Sequence, residues 1–269
     1  MNSGLRSVAV LAAGLVLGGG GSVYAQGSGG SGTGDWHYGG GIYFWVPVSI
    51  DGTSTVNGVD APVDLGFDEI TELFQGGLAA RFEAWNRDTW GIILDGWYAD
   101  LGTEVQTAGP RADVDITENI FDILGAYRLT PDSDGLSGGM FPGGSETAVD
   151  FMFGARYHYL KQEIDIVPGP LLGGSADWFD LVIGARVQWG INERWSTALR
   201  GDLAGFGIGD GSDLTYNFWA TANYHPWDRW ALLFGYRVYG LDYETGTGLQ
   251  RFGMDVTEHG PFVAISFWY

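Results

Sequence analysis

The chain has 269 residues, 13 basic against 33 acidic side chains, and a formal charge of −20. Such a balance excludes nucleic acid as a partner, because phosphate is held by Lys and Arg, and argues against electrostatic docking on an anionic lipid surface. The absence of Cys excludes a disulfide framework and thiolate metal sites.

Met1 to Ala25 reads as a cleavable signal peptide. Arg6 supplies the positive start, Val8 to Leu17 the short apolar run, and Val23-Tyr24-Ala25 the small-residue site before Gln26. Residues 26–34 are almost all Gly and Ser and read as a flexible lead-in. Residues 35–269 then form one domain. No later segment reaches the roughly 18 consecutive apolar residues of a spanning helix, so any membrane crossing must use strands.

Period-two alternation dominates that domain. Ten segments begin near Trp36, Gln75, Trp90, Ala112, Val149, Asp177, Trp195, Thr215, Trp230 and Met254. From Trp90, one face carries Trp90, Ile92, Leu94, Gly96 and Tyr98, and the other carries Gly91, Ile93, Asp95, Trp97 and Ala99. From Phe151, the apolar face is Phe151, Phe153, Ala155, Tyr157 and Tyr159, opposite Asp150, Arg156 and His158. A soluble barrel or sandwich would bury the apolar face. Three features favour the inverse. The polar faces hold Gly, Ala, Thr and matched Arg and Asp where a wetted surface would hold Lys and Glu, and Lys161 is the only lysine. Aromatics sit near the ends of the apolar faces, and the spacing of Trp90 and Tyr98 corresponds to about 20 Å at a tilt of roughly 40°. Finally, backbone in lipid must be fully paired, which a closed barrel achieves. The expectation is an all-β, closed antiparallel up-and-down transmembrane barrel of about ten strands.

The connections sort into two sides. Tight turns ending in Trp90, Trp195 and Trp230 share one side with both chain ends, as short periplasmic turns do. Longer loops near 51–74, 102–111, 164–176, 207–214 and 244–252 fall on the other, extracellular side. Residues 130–147 are too long for a periplasmic turn. Residues 67–74 have the pattern of a short amphipathic helical turn folding over or into the mouth. The loop Arg87-Asp88-Thr89 predicts a three-residue hairpin, which sets Arg81 opposite Asp95 and Phe82 opposite Leu94.

These faces assign a lumenal ion-pair network to Arg81, Glu83, Asp95, Asp122, Arg128, Asp150, Arg156, Asp180, Arg186, Arg200, Asp202, Arg237 and Glu258. Asp150 to Arg156 and Asp180 to Arg186 repeat the pattern Asp-x₃-Gly-Ala-Arg, and Asp122 and Arg128 share its spacing. Bulky Tyr43, Trp45, Trp97 and Trp219 fall on the same side, so the lumen should be largely occluded. An aromatic girdle is expected at Trp90, Tyr98, Trp189, Trp195 and Trp230.

The last strand, Gly260 to Tyr269, carries apolar residues at every second position back from Tyr269, Phe267 among them. It resembles the C-terminal signal read by the outer-membrane assembly machinery. The phrases Ala80 to Trp85, Trp90 to Gly102 and Phe234-Gly-Tyr-Arg237 followed by Asp242-Tyr243 resemble those of small Gram-negative outer-membrane β-barrel proteins, loosely of the OmpA/OmpW-like class. The resemblance implies an outer-membrane location, with lipid, lipopolysaccharide and the assembly machinery as partners. It says almost nothing of activity.

No catalytic constellation stands out, and nothing calls for a cofactor. Acyl-ester hydrolysis needs a Ser or Thr nucleophile activated by His, yet none of His37, His158, His225 and His259 has a Ser within two residues. Asp255 with His259 is the only local carboxylate–imidazole pair suited to a rim protease. The first long loop carries Asp51, Asp60, Asp64, Asp68, Glu69 and Glu72 without a base. Clustered carboxylates suit Ca²⁺ or Mg²⁺, although no EF-hand-like spacing is present and a repulsive, solubilising role is the simpler reading. The function expected is a structural, surface-interaction or narrow-pore role. The rivals are a barrel enzyme acting on lipid and a soluble periplasmic barrel that binds a ligand.

Overall fold

A sheet that faces hydrocarbon must leave no edge unpaired, and closure satisfies that demand. The computed structural model describes residues 36–87, 89–106, 111–129, 147–167, 169, 171–227 and 229–268. Its strands are β1 (Trp36–Trp45), β2 (Ser49–Val56), β3 (Val59–Gly66), β4 (Phe74–Asn86), β5 (Trp90–Gln106), β6 (Arg111–Arg128) and β7 (Thr147–Val167). They continue with β8 (Leu171–Asn192), β9 (Trp195–Gly205), β10 (Leu214–Trp227), β11 (Trp230–Thr245) and β12 (Phe252–Trp268). All pairings are antiparallel between neighbours, and β1 closes the ring by pairing both β4 and β12. Ten strands form the barrel, and β2 and β3 add a hairpin on the edge of β12.

The pleat turns apolar side chains outward. Phe151, Phe153, Phe179, Leu181, Ile183, Phe218, Phe234, Val263 and Ile265 are all exposed, while the charged residues that alternate with them are buried. On β8 the outward run from Phe179 to Trp189 covers about 25 Å along the barrel axis. Above this band the outward face changes character, to Lys161 and Glu163 on β7 and Asp177 on β8. Trp90, Trp195 and Trp230 open strands on one side and are exposed. Trp90 packs edge-on against Trp36 at 5.1 Å, and Trp230 lies 5.6 Å from Phe267. Tyr98 is exposed nearer the opposite end, and Trp189 is half-buried on the outward face.

The long loops differ from the sequence reading. Residues 51–74 are ordered, as β2, β3 and the helix α1 (Phe67–Leu73). Asn57 and Gly58, both at positive φ (50° and 77°), make the two-residue turn of the hairpin. The loops at 102–111 and 164–176 shrink because β5 to β8 run on past the apolar band, with β7 reaching 21 residues and β8 22. At roughly 3.3 Å per residue and 40° of tilt, such strands rise about 50 Å, well beyond the apolar band of about 25 Å. Residues 130–146 lie outside the described residues, as do residues 1–35, where the sequence predicts a leader and lead-in.

The hairpin leans across the mouth. Asn57 accepts a hydrogen bond from the Gly173 backbone N–H (2.9 Å), and Ser54 bonds Gln162, which donates to the Gly253 carbonyl (3.0 Å). Asp60 pairs with Arg251, which holds its carboxyl below the usual carboxylate range, so this part of the acidic segment does have a base. From α1, Ile70 is buried with Trp97, Leu101, Ile116, Val63 and Leu65 around it. A Cβ on Gly58 would collide with the Gly248 carbonyl and strain a left-handed turn. Gly58→Ala should therefore expose residues 49–66 to limited proteolysis while the heat-modifiable barrel core survives. Equal protease resistance in wild type and variant would show that the hairpin does not depend on this turn.

Candidate functional site

The lumen is where the chemistry-bearing residues meet. On β6, β7 and β8 the repeated Asp–Arg spacing meets antiparallel pairing, which reverses the order on every second strand. Asp122 stands opposite Arg156, Arg128 opposite Asp150, Asp150 opposite Arg186, and Arg156 opposite Asp180. Two rows of alternating charge result.

In the lower row, Arg128 grips Asp150 through Nε and Nη2 (2.7 and 3.2 Å), and Arg186 and Gln188 donate to the same carboxylate (2.9 and 3.0 Å). Arg186 also makes a bidentate pair with Glu83 (2.6 and 3.0 Å). Glu83 accepts in addition from Trp85 Nε1 and Arg81 Nε, both at 2.8 Å. Trp85 is the platform of this row, with the Arg128 and Arg186 guanidiniums 4.3 and 5.7 Å from its ring. Arg81 faces Asp95 across β4 and β5, in the register a three-residue loop requires, and donates to it at 3.1 Å. Tyr43 donates to the other Asp95 oxygen at 2.8 Å.

In the upper row, Arg156 pairs twice with Asp122 (2.7 and 3.0 Å) and once with Asp202 (2.7 Å). Its register partner Asp180 is engaged instead by His158 (3.1 Å) and the Ser212 backbone N–H (2.8 Å). Arg186 and Arg200 are opposed in register, and the conflict is relieved because Arg200 turns to Asp202 (2.9 Å) and Asp122 (3.3 Å).

Above these rows an aromatic layer crosses the lumen. The Arg237 guanidinium lies 4.4 Å from Trp45, 5.0 Å from Trp219, 5.1 Å from Tyr239 and 5.7 Å from Trp97. Its Nε donates to Asn217 (3.0 Å), which also accepts from Trp219 Nε1 (2.7 Å). Glu258 is buried higher up, lining a cavity under the hairpin with Glu118. Phe267, of the C-terminal pattern, is exposed on the outward face, and Tyr269 lies outside the described residues.

Several members escape a search for charged residues. Trp85 shares the parity of Arg81 and Glu83, so alternation alone could have placed it. Trp178 is marked by parity in the same way, as is Glu118, a charged residue with no matched base at the repeated spacing. The Ser196–His225 contact (2.9 Å) carries no sequence signal, since the two lie 29 residues apart on adjacent strands. It pairs a hydroxyl with an imidazole, but Ser196 is 1 % exposed and its Oγ accepts from Asn223 (3.2 Å), which leaves a substrate carbonyl no approach. Asp255 and His259 both lie on the outward face, where His259 Nδ1 meets the Tyr236 hydroxyl (2.6 Å). Among the described residues, no three His, Asp or Glu side chains converge as a metal cluster.

The class defined by these features is a closed antiparallel β-barrel of the outer-membrane type, apolar outside and charged within. No protein-family model matches the chain, and no curated protein matches it. Among solved structures it is similar to Ail, the attachment invasion locus protein of Yersinia pestis, at 10 % identity and a TM-score of 0.40, covering 87 % of this chain and 99 % of that one. The translocator domain of the autotransporter NalP from Neisseria meningitidis gives 11 %, 0.41, 88 % and 89 %. The Pseudomonas putida toluene transporter TodX gives 11 %, 0.24, 88 % and 90 %. At such identities no residue role transfers.

Breaking a buried pair leaves an uncompensated charge and typically costs about 3–5 kcal/mol, whereas an exposed pair is worth about 0–1 kcal/mol. Asp150 serves Arg128 and Arg186 together, while Lys161–Glu163 (2.7 Å) is more than a third exposed at both partners. Asp150→Ala should lower stability in detergent by about 3 kcal/mol or more, and Glu163→Ala by less than about 1 kcal/mol. Urea titration of refolded protein measures both, and equal effects would contradict the lumenal assignment.

Proposed function

We propose that this chain is an integral outer-membrane protein with an occluded lumen, whose role is structural or surface-interacting and not that of an open channel. The observation that carries the reading is the Arg237 layer. A guanidinium held among Trp45, Trp97, Trp219 and Tyr239 spans the lumen, with two rows of ion pairs on one side and the hairpin and α1 on the other. Cation–π contacts strengthen when desolvated, so displacing Arg237 to open a path would be costly.

The outward apolar band and the exposed Trp residues at strand ends support placement in the outer membrane, with lipid and lipopolysaccharide around the barrel. The leader at 1–25, the lead-in at 26–34 and the C-terminal pattern ending in Phe267 and Tyr269 fit export and insertion by the assembly machinery. Membership of the OmpA/OmpW-like class rests on the sequence resemblance alone. The strands that run beyond the band, capped by β2 and β3, would place a rigid acidic surface outside the cell, and that surface is what a partner would meet. The buried position of Ser196 argues against the rival lipid hydrolase.

Two measurements test the proposal. Fractionation with a heat-modifiability gel should place the protein in the outer membrane as a folded barrel. In planar bilayers the wild type should insert without stepwise conductance. Regular ohmic steps from wild-type protein would overturn occlusion, and recovery in the soluble periplasmic fraction would overturn the location.

A further inference from the structure

The lower lumen holds a cavity of about 80 Å³. That is roughly five times the space one water needs. Its existence follows from a cluster of short side chains at one level: Gly41 on β1, Ala198 on β9, and Ala264 and Ser266 on β12. Gly41 admits nothing larger, since a Cβ there would lie 2.6 Å from the Ile265 carbonyl oxygen and 3.0 Å from the Ser266 Cβ. Three arginines, Arg81, Arg186 and Arg200, also line the space, against one carboxylate, Glu83. For a chain of charge −20 this is an unusual wall.

The donors in that wall are not all used. Arg81 Nη2, Arg200 Nη1 and Ser266 Oγ are each buried without a hydrogen-bond partner, and Arg200 and Ser266 are only 3 % and 4 % exposed. The nearby carboxylates are committed elsewhere. Glu83 is taken by Arg186, Arg81 Nε and Trp85, and Asp95 by Arg81 Nη1 and Tyr43. Asp95 Oδ2 stays 3.8 Å from Arg200 Nη1, beyond hydrogen-bond distance. An unpaired buried donor is costly, and more so when it is charged. From the convergence of these unused donors on one cavity of this size, we propose that it is a binding site for a small monovalent anion of halide size. The anion accepts from the Arg81 and Arg200 guanidiniums and the Ser266 hydroxyl. The committed carboxylates turn their lone pairs to other partners, so they frame the site without occupying it.

Bromide is the probe, because its anomalous scattering locates it. The barrel is refolded and crystallised in sodium bromide, and its thermal unfolding midpoint is compared in bromide and in gluconate, an anion too large for the cavity, at one ionic strength. An anomalous peak within hydrogen-bond distance of Arg81, Arg200 and Ser266 is expected. The midpoint should rise by about 3 °C at ten times the bromide dissociation constant. Ala198→Val, which fills the space and keeps every charge, should abolish the rise. Ser266→Ala removes one donor without adding bulk and should at least halve it. A cavity with no bromide peak, or a bromide effect of equal size in wild type and both variants, would overturn the proposal.

Discussion

Charge that faces a lumen has to find its partner inside the same lumen, and in this barrel that requirement governs the rest. Lipid outside forbids the charged face from turning out, and the pleat allows no intermediate choice. A one-residue slip between β6 and β7 would separate Asp122 from Arg156 and Arg128 from Asp150 at once. The Asp–Arg spacing on consecutive antiparallel strands thus sets register by complementarity, in the way heptad charges set it in coiled coils. Where register brings like charges together, a third residue from across the barrel intervenes. Asp95 stands opposite Asp122, and Arg200 reaches toward both, at 3.8 and 3.3 Å.

The same pairing fills the space. Ten strands leave an interior little wider than its side chains, and guanidiniums stacked on Trp85 together with aromatic rings caged around Arg237 use most of it. Rigidity and occlusion are then one property. The hairpin continues this economy at the mouth, where its contacts to β7 and β8 close the ring's outer end. In the proposed role, what remains for interaction is the outer surface, carried by strands that keep pairing above the apolar band.

Legibility followed the same physics. Inside the band, lipid on one side and paired charge on the other impose strict alternation, so the strands, the Trp-ended turns and the opposition of Arg81 and Asp95 could be read from residue order. Above the band the outer face meets water and the apolar half of the alternation turns inward, as Leu160 and Ile116 do, so the outer ends of β5, β7 and β8 escape the sequence reading. Asn57-Gly58 between Val56 and Val59 is a strong hairpin signal, masked by the six acidic residues that made the segment look like a loop. Contacts such as Ser196–His225 depend on which strands become neighbours and at what stagger. No local pattern holds that information. Glu118 had the parity of a lumenal residue but no matched base at the repeated spacing.

The upper row offers the most direct test. Asp122 and Arg156 lie 34 residues apart and meet through two hydrogen bonds only if β6 and β7 pair in this register with their charges inward. A double-mutant cycle on Asp122→Ala and Arg156→Ala, measured by reversible unfolding in detergent, isolates their coupling. An interaction energy of about 2 kcal/mol or more is expected. Additivity within about 0.3 kcal/mol would mean that the two charges do not meet, and the inward ladder on which this structure rests would be wrong.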